Sequence, residues 1–490
     1  MRKWDVLENI LVEKLVFWWK GFARLKSDNP DIDWKAIFIT GGAIPDSIVN
    51  LRVLKKKKDF IETQILEIVK KSPIEKQHPT NQYGMSWGWK WINIPYEEQL
   101  KIKENQVKES LFHIEKLQEH IPFEVIEPSP IIDWYRNKVE FSFWKFISAK
   151  YDMEQHFNVW FHKQWEFSKI EDFDGCPLID EFQNIVFKEV KDFAKQSWLP
   201  VYDSMRQTGF FRHLMIRKTH FTNQMMLILG FNDAFSDNLD NEISQIETFF
   251  KELGEKYPEI KSIYLSYNSN KADIAIWDLE LIYWKEYITE ELHWLHFNIS
   301  PKSFFQTNSS GAEKLYSMVT DYITPPPTGT SLEKGRFKSL SEQVVLDLYG
   351  GTGTIGMIFS KAGAKEVYSV EMVKSASEDG KKNAQLNKLE NINFVCAKVE
   401  DFLWNYLDEW KKADLLVIDP PRVWMHPNAL PNILKFDVKQ IIYVSCNPAT
   451  LARDLDFIMK NSTYKIEKVW AMDMFPHTSH IETVVSLIKK

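Results

Sequence analysis

Five strand-like runs in the C-terminal third constrain the fold more than any other feature. They read VVLDLY from Val344, EVYSVEM, INFVCAK, DLLVIDP and QIIYVSC, and they alternate with segments of helical periodicity. Short apolar strands separated by helices specify a doubly wound, largely parallel α/β sheet. Ligands bind such sheets beyond the C-terminal ends of the strands. The residues that end these runs are therefore the first candidates for a site.

The first run leads into Gly350-Gly351-Thr352-Gly353-Thr354-Ile355-Gly356. Glycines between a strand end and a helix N-terminus let a nucleotide approach the backbone. Gly351, Gly353 and Gly356 spell GxGxxG, which admits a nicotinamide dinucleotide. Glu371, ending the second run, suits the ribose hydroxyls of either cofactor. The fourth run discriminates, because it ends in Asp419-Pro420-Pro421-Arg422. A D-P-P motif there is typical of methyltransferases acting on nucleobases, and a dehydrogenase has no need of it. S-adenosylmethionine is the expected cofactor.

A chain of 490 residues exceeds one ordinary domain. Residues 324–340, TPPPTGTSLEKGRFKSL, read as a loop or linker. Upstream, runs such as KAIFIT and SIVNLRVL are broken by turn signals and predict a small β-barrel over 1–72. Leu100, Val107, Leu111, Ile114 and Leu117 recur at helical spacing and predict a helix over 95–118, a candidate to pack on the catalytic domain. The expected division is a barrel (1–72), an α+β central domain (73–297) and a Rossmann-like catalytic domain (298–490). No apolar run is long enough to span a membrane, and the N-terminus lacks a signal-peptide pattern. Three widely spaced cysteines favour a reducing cytoplasm. The net charge of −7 does not announce a nucleic-acid binder. Arg52 and Lys55 to Lys58 nevertheless form a local basic run, either a phosphate-contacting patch or a solvated turn.

Four motifs occur in order: Ile299-Ser300-Pro301-Lys302-Ser303-Phe304-Phe305-Gln306, DPPR at Asp419, Ser445-Cys446-Asn447-Pro448, and Asp473-Met474-Phe475-Pro476-His477-Thr478-Ser479-His480-Ile481-Glu482. Together they resemble the RNA (uracil-5-)-methyltransferase family, most closely its members acting on 23S ribosomal RNA. Tyr135-Arg136-Asn137-Lys138 and Phe211-Arg212-His213-Leu214 resemble the family's central domain, and residues 9–72 its RNA-binding TRAM barrel. The resemblance implies a class I methyltransferase domain that transfers a methyl group from S-adenosylmethionine to carbon 5 of a uridine, in ribosomal RNA before transfer RNA. It implies Cys446 as nucleophile and Glu482 as base. It implies cofactor contacts from Gln306, Tyr349, Glu371 and Asp419, with Thr354 a further candidate. Arg422 is a candidate to orient substrate. Arg136, Lys138, Arg212 and His213 are candidate RNA contacts, each set against an ordinary salt-bridging role. Cys396 lies on an apolar run and is expected in the core. No obligate protein partner is implied.

The chemistry needs these residue types. Carbon 5 of a neutral uracil is a poor nucleophile until a thiolate adds to carbon 6. A separate base must then remove the carbon 5 proton so that the thiolate can leave. A cytosine-5 DNA methyltransferase would place its nucleophile after a Pro-Cys pair, where this chain has DPPR. An amino-group methyltransferase has no need of Cys446. An RNA-binding protein that has lost activity would not need Cys446, Glu482, Glu371 and Asp419 together.

The sequence departs from the resembled family twice. Some members hold an iron–sulfur cluster through four cysteines, but here the corresponding run is Ser86-Trp87-Gly88-Trp89-Lys90-Trp91, leaving only Cys176. One thiolate cannot hold a cluster that needs about four, so none is expected and no metal site is assigned. The second departure is tryptophan, with 19 against only 18 glycines. Trp18, Trp19, Trp34, Trp87, Trp134, Trp144, Trp160, Trp165, Trp277, Trp284, Trp294 and Trp424 stand where the family has glycine. The pattern fits UGA codons meant as glycine, against the alternative of real adaptation to tryptophan. Trp91 matches a family tryptophan, and Trp89 and Trp470 fit either origin.

Overall fold

The computed structural model describes the chain except residues 1–2, 17–19, 27–33, 80–88, 113, 115–121, 147–155, 161–174, 204–205, 236–238, 272–275, 322–339, 409–411, 423–424, 426–428, 437 and 490. The side chains of 144–146 and 156–160 are likewise outside the description. Two compact units result. One comprises 1–129, 446–453 and 470–483, and the other 130–445, 454–469 and 484–490.

The first unit opens with a curled six-stranded sheet. Its strands are β1 (Val6–Leu11), β2 (Lys14–Val16), β3 (Lys20–Lys26), β4 (Trp34–Thr40), β5 (Ile48–Lys56) and β6 (Phe60–Lys70), in the order β1-β5-β6-β4-β3-β2. Alternate residues point inward, so Ala23, Ile37, Ile39, Val49 and Leu51 close a core with Val12 and Ala43. Gly21 is required there, since a Cβ would lie 2.6 Å from that of Ala43.

Helix α1 (Tyr96–Phe112) starts within a residue of the expected position, and 115–121 lie outside the description. Its buried face differs from the apolar stripe in the sequence: Gln99, Lys103 and Gln106 are buried beside Val107 and Leu111. Gln99 and Lys103 are tied to chain segments far away in sequence, which a periodicity argument cannot see.

In the second unit a central sheet joins β7 (Lys138–Phe146), β8 (His156–Trp160), β9 (Phe211–Lys218), β10 (Met225–Phe231), β11 (Ile260–Tyr267) and β12 (Asp278–Trp284), in the order β12-β11-β10-β9-β7-β8. Every residue of β10 is buried. Helices α2 (Glu181–Gln196) and α3 (Asp240–Lys256) accompany it, α2 starting at a capping box between Asp180 and Gln183. A hairpin of β13 (Ile288–Leu292) and β14 (Leu295–Ile299) and helix α4 (Ser309–Asp321) follow.

The expected doubly wound sheet comes last, as β15 (Val344–Leu348), α5 (Thr354–Lys361), β16 (Glu366–Glu371), α6 (Lys374–Leu386), β17 (Ile392–Cys396), α7 (Val399–Asp408), β18 (Leu415–Ile418), α8 (Ala429–Leu434), β19 (Gln440–Ser445), α9 (Pro448–Asn461), β20 (Tyr464–Met472) and β21 (Glu482–Lys489). The strand order is β17-β16-β15-β18-β19-β21-β20. Strands β15 to β19 pair in parallel. A dinucleotide-binding Rossmann sheet would end in its sixth strand beside the fifth. Here the last strand is inserted between them, which favours the methyltransferase reading of the glycine loop. Cys396 corrects the sequence expectation. It is exposed rather than core, because β17 is an edge strand and Cys396 is its last residue.

Among the described residues thirteen non-glycine positions have positive φ, and five are tryptophan: Trp4, Trp134, Trp198, Trp284 and Trp294. The left-handed region costs an L-residue about 1–2 kcal/mol. No helix among the described residues is long and apolar enough to cross a membrane.

Candidate active site

The glycine loop after β15 is built for a close-lying ligand. Tyr349 and Gly353 both have positive φ, at 62° and 74°. A Cβ on Gly353 would lie 2.3 Å from the Phe394 ring, whereas one on Gly351 would meet nothing within 4 Å. Buried Asp347 accepts from Gly356 N at 3.1 Å and Ser369 Oγ at 2.9 Å, fixing the loop to the start of α5. Burial pushes its carboxyl up to about 6. Glu371 accepts from Gly351 N at 3.1 Å and Val373 N at 2.7 Å. Asp419, at the end of β18, is only partly covered at its surface. Desolvation of its carboxyl pushes it up to about 7, with the Asp347 carboxylate adding to the rise. Thr354 Oγ1 lies 3.4 Å from Thr352 Oγ1. The Tyr349 hydroxyl is buried with no hydrogen-bond partner among the described residues. An orphaned hydroxyl, carboxylates ending β16 and β18, and open space over Gly351 fit a nucleoside cofactor.

The Gln306 loop is held from the central sheet in the same unit. Asn137, of the YRNK motif, donates through Nδ2 to Gln306 O at 2.7 Å and Ser309 Oγ at 2.9 Å, and its backbone N donates to Thr307 O at 2.8 Å. Arg217 donates to Ser300 O at 3.2 Å and Ser303 O at 3.0 Å. Asp379 accepts from Ser300 Oγ at 3.0 Å and from the Ser303 hydroxyl. Asn137, Arg217 and Asp379 were not singled out from sequence. Asn137 lay in a recognised motif, but nothing in the order of residues shows that its amide reaches Gln306.

Cys446 and Glu482 fall in the first unit. Cys446 is half-exposed in the turn after β19. The Asn447 side chain caps α9, accepting from Ala449 N at 3.1 Å and Thr450 N at 3.4 Å. Glu482 is buried at the start of β21. The segment before it is braced by α1. Lys103 Nζ donates to Asp473 Oδ1 at 2.6 Å and Phe475 O at 3.1 Å. Gln99 receives the His477 N–H at 2.8 Å and donates to Trp91 O at 3.0 Å and Ile94 O at 2.7 Å. Burial lowers the Lys103 ammonium, and the Asp473 carboxylate opposes that fall.

Removing one member of a buried ion pair strands the other charge, at a cost of about 3–5 kcal/mol. Lys103→Met is therefore expected to lower thermal stability markedly, and Lys103→Met with Asp473→Leu to recover most of the loss. Calorimetry checks this, and a single variant as stable as the parent would refute the brace.

The candidate RNA contacts separate. Arg212 is buried, and its Nη1 donates to Asn268 O at 2.6 Å and Asn270 O at 2.7 Å while the guanidinium lies over Tyr202. That nitrogen serves the protein backbone, and His213, the next residue, is also buried. Lys138 lies 3.7 Å from Glu140, and burial lowers its ammonium. Arg136 is half-buried and Arg422 exposed. Cys176 is buried, and desolvation pushes its thiol up to about 12, as for an inert structural residue. Trp87 and Ser86 lie outside the described residues, as do Trp18, Trp19, Trp165 and Trp424.

The inserted last strand, the glycine loop and the acidic strand ends define a class I methyltransferase. A family model described as tRNA (uracil-5-)-methyltransferase matches residues 280–490. An RNA methyltransferase of Clostridium tetani is 37% identical over 448 residues, 91% of each chain. One from Clostridium acetobutylicum is 34% identical over 457 residues, 93% of each. The crystal structure of the Pyrococcus abyssi tRNA (uracil-54, C5)-methyltransferase with S-adenosyl-L-homocysteine superposes with a TM-score of 0.71 at 25% identity, covering 98% of this chain and 100% of that one. The chain belongs to the RNA (uracil-5-)-methyltransferase family, and is an S-adenosylmethionine-dependent enzyme.

Proposed function

We propose that the enzyme methylates carbon 5 of an RNA uridine through a covalent bond between Cys446 and carbon 6 of the base. The observation that carries this is the half-exposed Cys446 at the capped start of α9, in the same compact unit as the buried Glu482. A helix N-terminus favours negative charge nearby, which suits a thiolate about to attack. The Cys446 thiolate adds to carbon 6, and the displaced π electrons give carbon 5 enolate character. Bound S-adenosylmethionine supplies the methyl group from its sulfonium. Carbon 5 then carries both methyl and proton. Glu482 takes the proton, the carbon 5–carbon 6 double bond re-forms, and the thiolate leaves. Gln306, Tyr349, Thr354, Glu371 and Asp419 are the proposed cofactor contacts, and Arg422 is proposed to orient the base. No iron–sulfur cluster is proposed. The proposed functional division is a barrel over 1–72, a central domain over 73–297 and a catalytic domain over 298–490.

Ribosomal RNA is the first reading of the substrate, from the resemblance of the motifs. Transfer RNA is the second, favoured by the Pyrococcus abyssi neighbour. That neighbour acts on transfer RNA and matches 98% of this chain, so an N-terminal barrel does not separate the two substrates. The test is transfer of labelled methyl to ribosomal and transfer RNA, with the product mapped. Label on uridine carbon 5 in ribosomal RNA is expected, label in transfer RNA moves the substrate, and no label on uridine in either sinks the proposal.

The barrel supports RNA binding through its outer face. Phe22 and Phe38 are direct cross-strand partners with ring centroids 6.1 Å apart, and Phe60 lies 5.5 Å from Phe38. Lys14 Nζ stands 5.5 Å from the Phe22 centroid and Lys20 Nζ 6.0 Å from that of Phe38. These rings are half-buried on the face opposite Ala23 and Ile37, and the Lys55–Lys58 run is exposed. Aromatic rings among cations suit stacking of unpaired bases, worth about 1–3 kcal/mol per base. Phe38→Ala is expected to weaken RNA binding about tenfold or more, measured by filter binding at fixed salt. Unchanged affinity would take this face out of the RNA path.

A further inference from the structure

We infer that the exposed tryptophans in left-handed backbone are glycines in the native protein, specified by UGA codons read as glycine. Some bacterial codes read UGA this way, whereas common tables give stop or tryptophan. The backbone carries the inference further than composition does. Among the described residues five of the thirteen positive-φ non-glycine positions are tryptophan, where its share of the whole sequence, 19 of 490, predicts fewer than about one. Asparagine, aspartate and histidine tolerate this region, but a bulky indole is a genuine outlier there.

Two of the five sit in motifs that specify glycine by geometry. Ser197 is the C-cap of α2, and Trp198 follows it with φ 58°, the position where a left-handed glycine usually ends a helix. Pro200 comes two residues later, as it commonly does after such a stop. In the β13–β14 hairpin Leu292 pairs with Leu295, leaving His293 and Trp294 as a two-residue loop with φ of 50° and 62°. A two-residue loop with positive φ at both positions is a type I′ turn, which strongly favours glycine second. Trp198 and Trp4 are added by backbone geometry alone. Trp134, Trp284 and Trp294 also stand where the resembled family has glycine.

Burial points the same way. Trp198 is 92% exposed and Trp294 84%, whereas tryptophan is highly buried on average. Flexible cations lie over two of the others, Lys3 and Arg52 at Trp4, and Lys261 and Lys285 at Trp284. Trp89 and Trp91, in contrast, are buried at 0% and 3% without positive φ. The structure thus separates misread from genuine tryptophan: Trp89 and Trp91 stay.

The experiment reads the codons and the masses of peptides from the native organism. UGA with glycine masses at Trp4, Trp134, Trp198, Trp284 and Trp294, and UGG at Trp89 and Trp91, are expected. UGG at the five positions, tryptophan masses in the native peptides, or UGA at the two buried positions overturns the inference. A second arm uses the full chain made as written. Trp198→Gly with Trp294→Gly is expected to raise Tm by about 2 to 4 °C, and Trp89→Gly to lower it. A double variant less stable than the starting chain also overturns the inference. Neither arm depends on methyl transfer, so it stands or falls apart from the proposed catalysis.

Discussion

RNA carrying 5-fluorouridine at the target position is expected to trap the enzyme as a covalent complex that survives denaturing electrophoresis. Fluorine on carbon 5 cannot leave as a proton does, so the reaction halts after methyl transfer with Cys446 still bonded to carbon 6. Cys446→Ala should abolish the complex and lower turnover by about 10⁴-fold or more, the scale seen when an enzyme loses its nucleophile. Cys446 is half-exposed in a turn and fills no core volume that alanine would empty. Thermal scans of the variant should therefore match the parent. Trapping by Cys446→Ala at the parent's level would remove the covalent mechanism.

What the sequence disclosed follows from which physics is local. Alternating strand-like runs and the glycine loop are local patterns, and the sheet they specify formed with Glu371 and Asp419 at its strand ends. What stayed hidden was long-range. Lys103 reads as one more charge on an amphipathic helix until its ammonium is found on Asp473, 370 positions away. Gln99 is joined to His477 across 378 positions. Asn137 belonged to a recognised motif, yet its contact with Gln306 spans 169 positions. Cys396 misled for a related reason, because an apolar run gives no sign of whether its strand is central or at an edge. Arg212 reads from sequence as a cation in a motif, and nothing local shows that its Nη1 donates to two backbone carbonyls more than 50 positions away.

The second large effect belongs to Glu482. Substitution by glutamine keeps the size and hydrogen-bonding capacity of the side chain and removes its basicity, which suits a residue buried at the start of β21. Only the step that needs a base should suffer. Thiolate addition and methyl transfer precede removal of the carbon 5 proton, so a single turnover of methyl transfer should survive in Glu482→Gln. Elimination should slow by about 10²- to 10⁴-fold, the usual contribution of a positioned general base. Methylated RNA should then accumulate covalently bound to the protein without any fluorine, and steady-state turnover should fall accordingly. A quench-flow experiment with labelled cofactor separates the steps, reading transferred methyl and protein-bound RNA on the same samples. Wild-type turnover would exclude Glu482 as the base. Loss of the first methyl transfer would assign it to positioning the base for attack instead. The brace around it offers a further discrimination, because Gln99 and Lys103 hold the segment leading to Glu482 without supplying a proton acceptor. Gln99→Leu should misplace the carboxylate and slow the same elimination, and mild loosening of this kind should be relieved by lower temperature, whereas the missing basicity of Glu482→Gln should not.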